Sequence, residues 1–288
     1  MEQTEPKVAI LPSHIKLGAS PGLIGLDRLI WPLGQPDGIQ GKHLRDLTRN
    51  DHVIVFPRNT LHVRPGFGTR ANVSVMVMEP SVIHGHHMKM LRWSHRRFFR
   101  VLTCNEALIA SISNGVFFPH GSTWVPEWRD LDVTKTKMVS LIASAKRSQE
   151  GHQLRHEIAD WAQVQNLNVD VMGGGYNPFD VKSDGLASYR FSIVIENVRE
   201  RNYFTEKLID AVLCDTVPIY WGCPNISDFM ETKGMILCET ADDLRRAVKN
   251  VSIEDYAARI SALNLVKGRA DHWGGYMARA ARAVVASV

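Results

Sequence analysis

The chain has 288 residues, of which 44% are hydrophobic and 22% are charged. That length is enough for two α/β domains, and the composition is typical of a folded globular protein and excludes a disordered one. The formal net charge is only +4, and the basic residues are spread among acids. A small phosphate-bearing ligand therefore fits the charge pattern better than nucleic acid does.

Apolar, β-branched runs in the first part of the chain predict short buried strands. These runs are Lys7–Leu11, His52–Phe56, Val73–Met78, Phe99–Thr103 and Val116–Phe118. The Gly- and Pro-rich stretch 18–41 predicts a long loop, and Asn105 is placed to cap a helix. The first domain is therefore predicted to be α/β, over residues 1–130.

Residues 89–100 are the most basic part of the chain, with arginines set among aromatic residues. A solvated helix face explains this cluster, and the alternative is a surface that faces an acceptor or a membrane. Peripheral membrane contact therefore stays open. In the neighbouring HGHH sequence, His84 and His87 would share one helical face and could bind a metal, although a third ligand is not obvious.

A polar link, 127–137, leads to a second set of elements. Met138–Ala143 and Val169–Met172 read as strands, and Ser148 is placed to cap a helix that runs towards Val164. The three glycines at 173–175 lack GxGxxG spacing, so a tight turn is the simpler explanation. Helices are expected after Thr240 and Ser252 and over the Ala- and Arg-rich end, 276–288.

The four cysteines, at 104, 214, 223 and 238, form no CxxC pair. Buried thiols in a reducing compartment are therefore expected, in preference to a disulfide framework or a zinc site. The start of the sequence, MEQTEPKVAIL, does not read as a signal peptide, and no apolar run approaches the length of a bilayer span. These patterns predict a cytoplasmic protein.

The most informative stretch is 189–230, YRFSIVIENVRERNYFTEKLIDAVLCDTVPIYWGCPNISDFM. Phe191–Ile195 reads as a strand buried on both faces, Thr205 and Glu206 begin an amphipathic helix, and Val217–Tyr220 is a second strand. This order is a βαβ unit. In such units, ligands lie outside the carboxyl ends of the strands, so the polar residues after Ile195 are candidate binding groups.

Within this stretch, YxFxxxxEN, YxTEK and TVPIYWG resemble the nucleotide-binding signature of the α1,3/1,4-fucosyltransferases, which are inverting enzymes that use GDP-fucose. The resemblance is dense over about forty residues and weak elsewhere. Ile195 stands where the family usually has an aromatic residue, and Asp215 where it often has a small one.

The resemblance implies a GT-B-like α/β fold, with two Rossmann-like domains and a cleft between them. It places an acceptor-side domain over 1–130 and a nucleotide-sugar-binding domain over 131–270. The last segment, 271–288, is expected to cross back onto the first domain. The implied substrates are GDP-fucose and a glycan acceptor, with no cofactor required.

Charge builds on the departing diphosphate during transfer, and basic side chains can neutralise it. Lys207 lies in the first turn of its helix, where a cation is unfavourable unless an anion meets it. Arg155 resembles the family's diphosphate-binding arginine. The alternatives are that Lys207 is a surface lysine and that Arg155 forms salt bridges on a helix face.

The remaining donor-binding candidates surround this turn. Glu206 could accept hydrogen bonds from both ribose hydroxyls, or it could simply favour the helix start. Tyr203 offers a ring to the base, and Asn197, beside Glu196, resembles the family's donor-contacting asparagine, although a loop asparagine is common.

An inverting transfer needs a base that deprotonates the acceptor hydroxyl. Glu79 ends the apolar strand VSVMVM and is the candidate, with a solvated loop acid as the alternative. His120, in FFPHG, is expected to line the cleft. No metal is expected in the site, because basic side chains can meet the phosphate charge. A different donor, GDP-mannose or a UDP-hexose, and a degenerate nucleotide-binding protein remain the alternatives.

Overall fold

The structure is a computed structural model that describes residues 5–287. The chain divides into two compact units. The first runs to Pro119 and resumes at Tyr276, and the second comprises His120–Gly275. The boundaries between the two units therefore lie at 119/120 and 275/276. The sequence predicts them at 130/131 and 270/271.

The stretch that reads as a polar link from the sequence, 127–137, belongs to the second unit. Trp128 donates its Nε1 hydrogen to Asp271 Oδ1 over 3.1 Å, and Arg129 pairs with Asp271 Oδ2 over 2.7 Å. Polar residues therefore make specific contacts here, which is why composition alone misplaces the boundary.

The first unit contains a parallel five-stranded sheet in the order β1-β2-β3-β4-β5. Its strands are β1 (Val8–Ile10), β2 (His52–Val55), β3 (Asn72–Val77), β4 (Val101–Thr103) and β5 (Gly115–Phe117). The helices of this unit are α1 (Ser81–Ser94), α2 (Glu106–Ile109) and α8 (Tyr276–Val285). Ala280, Ala281 and Val284 of α8 are fully buried in one apolar cluster with Ile10 and Ile54 of the sheet.

The second unit is built on a parallel sheet in the order β10-β9-β8-β6-β7. Its strands are β6 (Lys137–Ile142), β7 (Val169–Met172), β8 (Tyr189–Ile195), β9 (Val217–Trp221) and β10 (Ile236–Leu237). Its helices are α3 (Glu150–Val164), α4 (Glu206–Leu213), α5 (Ala241–Asn250), α6 (Ile253–Leu265) and α7 (Lys267–Gly274). Strand β8 lies at the centre of the sheet, and its side chains from Phe191 to Ile195 are buried, as the apolar run predicts.

The strands expected from the sequence all occur, with ends that move by at most two residues. Caps at Asn105, Thr205, Thr240 and Ser252 are confirmed, since each side chain accepts a hydrogen bond from its helix. The cap expected at Ser148 is wrong, because α3 begins at Glu150 and its N-cap residue is Gln149. Within residues 5–287, no helix is both long and apolar enough to span a bilayer. All four cysteines lie among the described residues, are buried and form no disulfide bond.

Candidate functional site

The candidate site of the second unit lies where β8 ends and α4 begins. Thr205 is the N-cap residue of α4, and its Oγ1 atom accepts from the Lys207 backbone nitrogen over 3.3 Å. The first turn of α4 therefore directs its backbone N–H groups towards the polar loop that follows β8, and a helix start of this kind favours an anion.

Glu196 fixes the position of this turn. Its carboxylate accepts from the Thr205 backbone nitrogen over 2.8 Å and from Thr205 Oγ1 over 2.7 Å. The residue has no exposed surface. This geometry supports a positioning role for Glu196, because its carboxylate holds the first turn of α4 in place. The direct donor contact that the sequence predicts stays a prediction. Burial raises the pKa of Glu196, and the neighbouring Lys207 opposes that rise.

Two glycines make room for Glu196. A Cβ atom on Gly151 would lie 1.8 Å from the Glu196 carbonyl oxygen, and one on Gly222 would lie 2.5 Å from Glu196 Cγ. The Gly151 backbone nitrogen also donates to the Asn197 carbonyl over 2.9 Å. The first turn of α3 is therefore joined to the end of β8 at a distance that only glycine permits.

Arg155 follows one turn later on α3 and contacts the same strand end. Its Nε and Nη2 atoms donate to the Ile195 carbonyl over 2.9 and 2.6 Å, and Nη2 also donates to Asn197 Oδ1 over 3.0 Å. The Nη1 atom takes no part in these three bonds. Only 4% of the residue is exposed, so contact with a ligand would have to use Nη1.

Glu206 and Lys207 follow Thr205 in the first turn, and their side chains are 11% and 22% exposed. Lys207 Nζ lies 2.9 Å from Glu206 Oε1, 3.1 Å from Thr205 Oγ1 and 3.8 Å from Glu196 Oε2. Burial alone would raise the pKa of Glu206, but Lys207 and Lys182 hold it below its usual value. Glu206 is therefore an ionised acceptor beside a lysine that is 22% exposed.

The loop between β8 and α4 is held by a pair of asparagines. Asn202 adopts a left-handed conformation with a φ of 63°, and its backbone nitrogen donates to Asn225 Oδ1 over 2.9 Å. Asn225 Nδ2 donates back to Asn202 Oδ1 over 2.8 Å. As a result, Tyr203 turns inwards and is only 2% exposed. The ring that the sequence predicts to meet a base is thus buried in the ligand-free protein, and its part in donor binding stays a prediction.

The structure adds two groups that the sequence patterns did not indicate. Lys182 lies in a short 3₁₀ turn before β8, and its charge interacts with Glu206 and Asp210. Asp210, one turn after Glu206, has no exposed surface and accepts from Thr123 Oγ1 over 2.7 Å. Burial raises the pKa of Asp210 to about 7.

The other predicted residues lie elsewhere. Glu79 is half-buried and stands just after β3 and before Pro80, the N-cap residue of α1. His120 is half-buried and is the first residue of the second unit, so it does not belong to the first domain as the predicted boundary implied.

The histidines of α1 form a cluster with His62. The rings of His84 and His87 lie 5.3 Å apart, so they do share a helical face. His87 Nδ1 is 3.1 Å from His62 Nε2, and burial together with the nearby His86, His84 and His62 lowers the pKa of His87 to about 4. Across residues 5–287, no three His, Cys, Asp or Glu side chains are grouped to hold a metal ion.

Comparison with known proteins finds a family match that covers the site. Residues 133–255 match the model of glycosyltransferase family 10 (fucosyltransferase), C-terminal part. These residues lie within the second unit and are called the family 10 domain below, after the model that they match. The family 10 domain contains the complete α3–β8–α4 cluster described above, from Arg155 to Asp210.

Curated relatives match over parts of their length. A fucosyltransferase-like protein of Arabidopsis thaliana is 29% identical over 132 residues, which is 43% of this chain and 26% of that protein. An α-(1,3)-fucosyltransferase of Helicobacter pylori is 39% identical over 62 residues, which is 22% of this chain and 13% of that protein. The matched segments thus span about a quarter or less of these relatives.

Among solved structures, S. aureus TarM superimposes with a TM-score of 0.51 at 15% identity, covering 83% of this chain and 55% of that one. The fold is α/β and of the GT-B class, and each of the two units contributes one parallel sheet. Chemically, the family 10 domain offers a helix start, a carboxylate acceptor and several cations in one place, which suits a ligand that carries both hydroxyl and phosphate groups.

Proposed function

We propose that this protein is a glycosyltransferase that moves fucose from GDP-fucose to a hydroxyl group of a glycan acceptor, with inversion at the anomeric carbon. The family 10 domain and the names of the matched relatives support the donor class. The observation that carries the proposal is the first turn of α4, where Glu206 and Lys207 lie together at a helix start that Glu196 holds in position.

In this proposal Glu206 and Lys207 bind different parts of the donor. Glu206, whose pKa is held low, accepts hydrogen bonds from the ribose hydroxyls. Lys207 and the backbone N–H groups of the turn neutralise the diphosphate, on which charge grows as the sugar leaves. Arg155 Nη1 and Asn197 support the same diphosphate from the end of β8.

We assign the general base to Glu79, which deprotonates the acceptor hydroxyl as it attacks the anomeric carbon. Its position directly after β3 supports this role, because catalytic groups of open α/β sheets collect at the carboxyl ends of strands. Neither a metal ion nor another cofactor is needed, since side-chain cations meet the phosphate charge. We also propose a reducing compartment such as the cytoplasm, which the buried cysteine thiols support.

The name of another relative keeps the acceptor class open. A GDP-fucose protein O-fucosyltransferase 3 of Bos taurus is 38% identical over 58 residues, which is 19% of this chain and 12% of that protein. A protein hydroxyl is therefore the second candidate acceptor, with the same donor and the same α4 turn.

The experiment is a transfer assay with GDP-fucose that carries a radiolabel in the sugar. Label is followed into an array of glycans and into peptides that contain serine and threonine, and GDP-mannose and a UDP-hexose, each radiolabelled in its sugar, are assayed in parallel as alternative donors. Label in any glycan, with GDP as co-product, supports the proposal. Transfer only from the UDP-hexose would contradict the donor assignment, and transfer only to peptides would contradict the glycan acceptor.

A further inference from the structure

A large aromatic side chain lies exposed beside the donor-binding groups. Trp124 is 63% exposed, whereas Ser122 and Val125 on either side of it are buried. Single exposed hydrophobic residues are common on protein surfaces, so exposure alone means little. What distinguishes Trp124 is how firmly its backbone is held.

The anchor is the buried carboxylate of Asp210. It accepts from the Trp124 backbone nitrogen over 3.1 Å and from Thr123 Oγ1 over 2.7 Å, and the same hydroxyl accepts from the Val125 nitrogen over 3.0 Å. Hydrogen bonds to a desolvated carboxylate are strong and directional. The segment that carries Trp124 is therefore rigid, and the indole ring is presented to solvent from a fixed backbone.

The same anchor links Trp124 to the helix that carries the proposed ribose-binding carboxylate. Asp210 follows Glu206 by four residues on α4, so the two side chains share a helix face, about 6 Å apart along the axis. Lys182 lies between the ring and this face: its Nζ atom lies over the Trp124 ring, 5.7 Å from the centroid, and its charge interacts with Glu206 and Asp210. The Trp124 ring and Glu206 are therefore neighbours of the same lysine.

We propose that Trp124 and Lys182 form the subsite for the nucleobase of the donor, with the base stacked on the Trp124 ring. This inference rests on the proposed donor function, and it offers the base an exposed ring, whereas Tyr203 is only 2% exposed. A purine overlaps an indole ring over a larger area than a pyrimidine does. Stacking does not depend on which hydrogen-bonding groups lie on the edge of the base. The subsite therefore distinguishes purine from pyrimidine nucleotides, and other contacts must distinguish guanine from adenine.

The test measures binding of GDP and of inorganic pyrophosphate to the full chain by calorimetry. The variants are Trp124→Ala, which removes the ring, and Trp124→Phe, which keeps a smaller one. Trp93→Ala is the matched control, because Trp93 is 60% exposed but lies on α1 in the other unit. Thermal unfolding confirms that each variant is folded.

Loss of stacking should weaken GDP about ten-fold or more in Trp124→Ala, with most of the affinity restored in Trp124→Phe. Pyrophosphate, which has no base, should bind the wild type and Trp124→Ala alike. Indole fluorescence should be quenched by GDP in the wild type and in Trp93→Ala, and less in Trp124→Phe.

Two outcomes separate this inference from the function on which it rests. If the wild type binds GDP and Trp124→Ala binds it equally well, the subsite is refuted while donor binding stands. The subsite is also refuted if GDP and pyrophosphate weaken in parallel, because Trp124 would then act on the diphosphate or on the fold. If the wild type binds no nucleotide at all, the proposed function itself fails.

Discussion

Replacing Lys207 by alanine tests the role of the α4 turn in two ways at once. The ammonium group is 2.9 Å from Glu206 Oε1 and 3.8 Å from Glu196 Oε2, so it compensates two largely buried carboxylates in the free protein. The same group is proposed to meet the diphosphate. Its removal should therefore lower both GDP affinity and the free energy of unfolding.

The expected sizes follow from the contacts that are lost. A hydrogen bond to a charged group contributes about 1.5–3 kcal/mol, which corresponds to roughly 10- to 150-fold weaker GDP binding. The unfolding free energy should fall by about 1–3 kcal/mol, because Glu196 and Glu206 lose their nearest cation while staying largely desolvated. Partial exposure of Lys207 keeps the second figure below that of a fully buried pair.

The assay is GDP titration by calorimetry together with urea unfolding, on Lys207→Ala and on Lys233→Ala. Lys233 is an exposed lysine of the same unit, and both measurements should stay at wild-type values there. A folded Lys207→Ala protein that binds GDP as tightly as the wild type would refute the reasoning, since the α4 turn would then not be where the diphosphate lies.

Three further predictions concern catalysis, metal and pH. Glu79→Gln should bind GDP with wild-type affinity, while its transfer rate should fall about 10²- to 10⁴-fold. Full activity in that variant would show that Glu79 is not the base, and His84, His87 and His120 would be tested next. Transfer should survive excess EDTA; a loss that Mn²⁺ restores would show that a metal takes part. The folded-state pKa of Asp210, about 7, is above its unfolded value, so the free energy of unfolding should rise as the pH falls from about 7 towards 4. The melting temperature measured at each pH should show this rise, and Asp210→Asn should make it smaller.

The sequence predicts the central βαβ unit well because its signals are local. An apolar run makes β8, and Thr205 with Glu206 marks the start of α4 through ordinary capping chemistry. The positions of Arg155, Asn197, Glu206 and Lys207 around one strand end follow from the rule that parallel strands present their carboxyl ends together.

What the sequence does not predict depends on long-range packing. Tyr203 lies among polar residues and reads as exposed, but the Asn202–Asn225 pair turns it into the core. Lys182 precedes β8 in a 3₁₀ turn with no periodic pattern, so nothing local brings it to Glu206. Gly151 resembles any helix glycine until its approach to the Glu196 carbonyl is seen.

The proposed function depends on the binding of a guanine nucleotide sugar by the second unit, at the start of α4. Its most direct test is a calorimetric comparison of GDP, UDP, ADP and CMP on the wild-type protein. We predict that GDP binds most tightly and that Lys207→Ala lowers this affinity. Equal affinity for all four nucleotides, or binding of none, would contradict the claim.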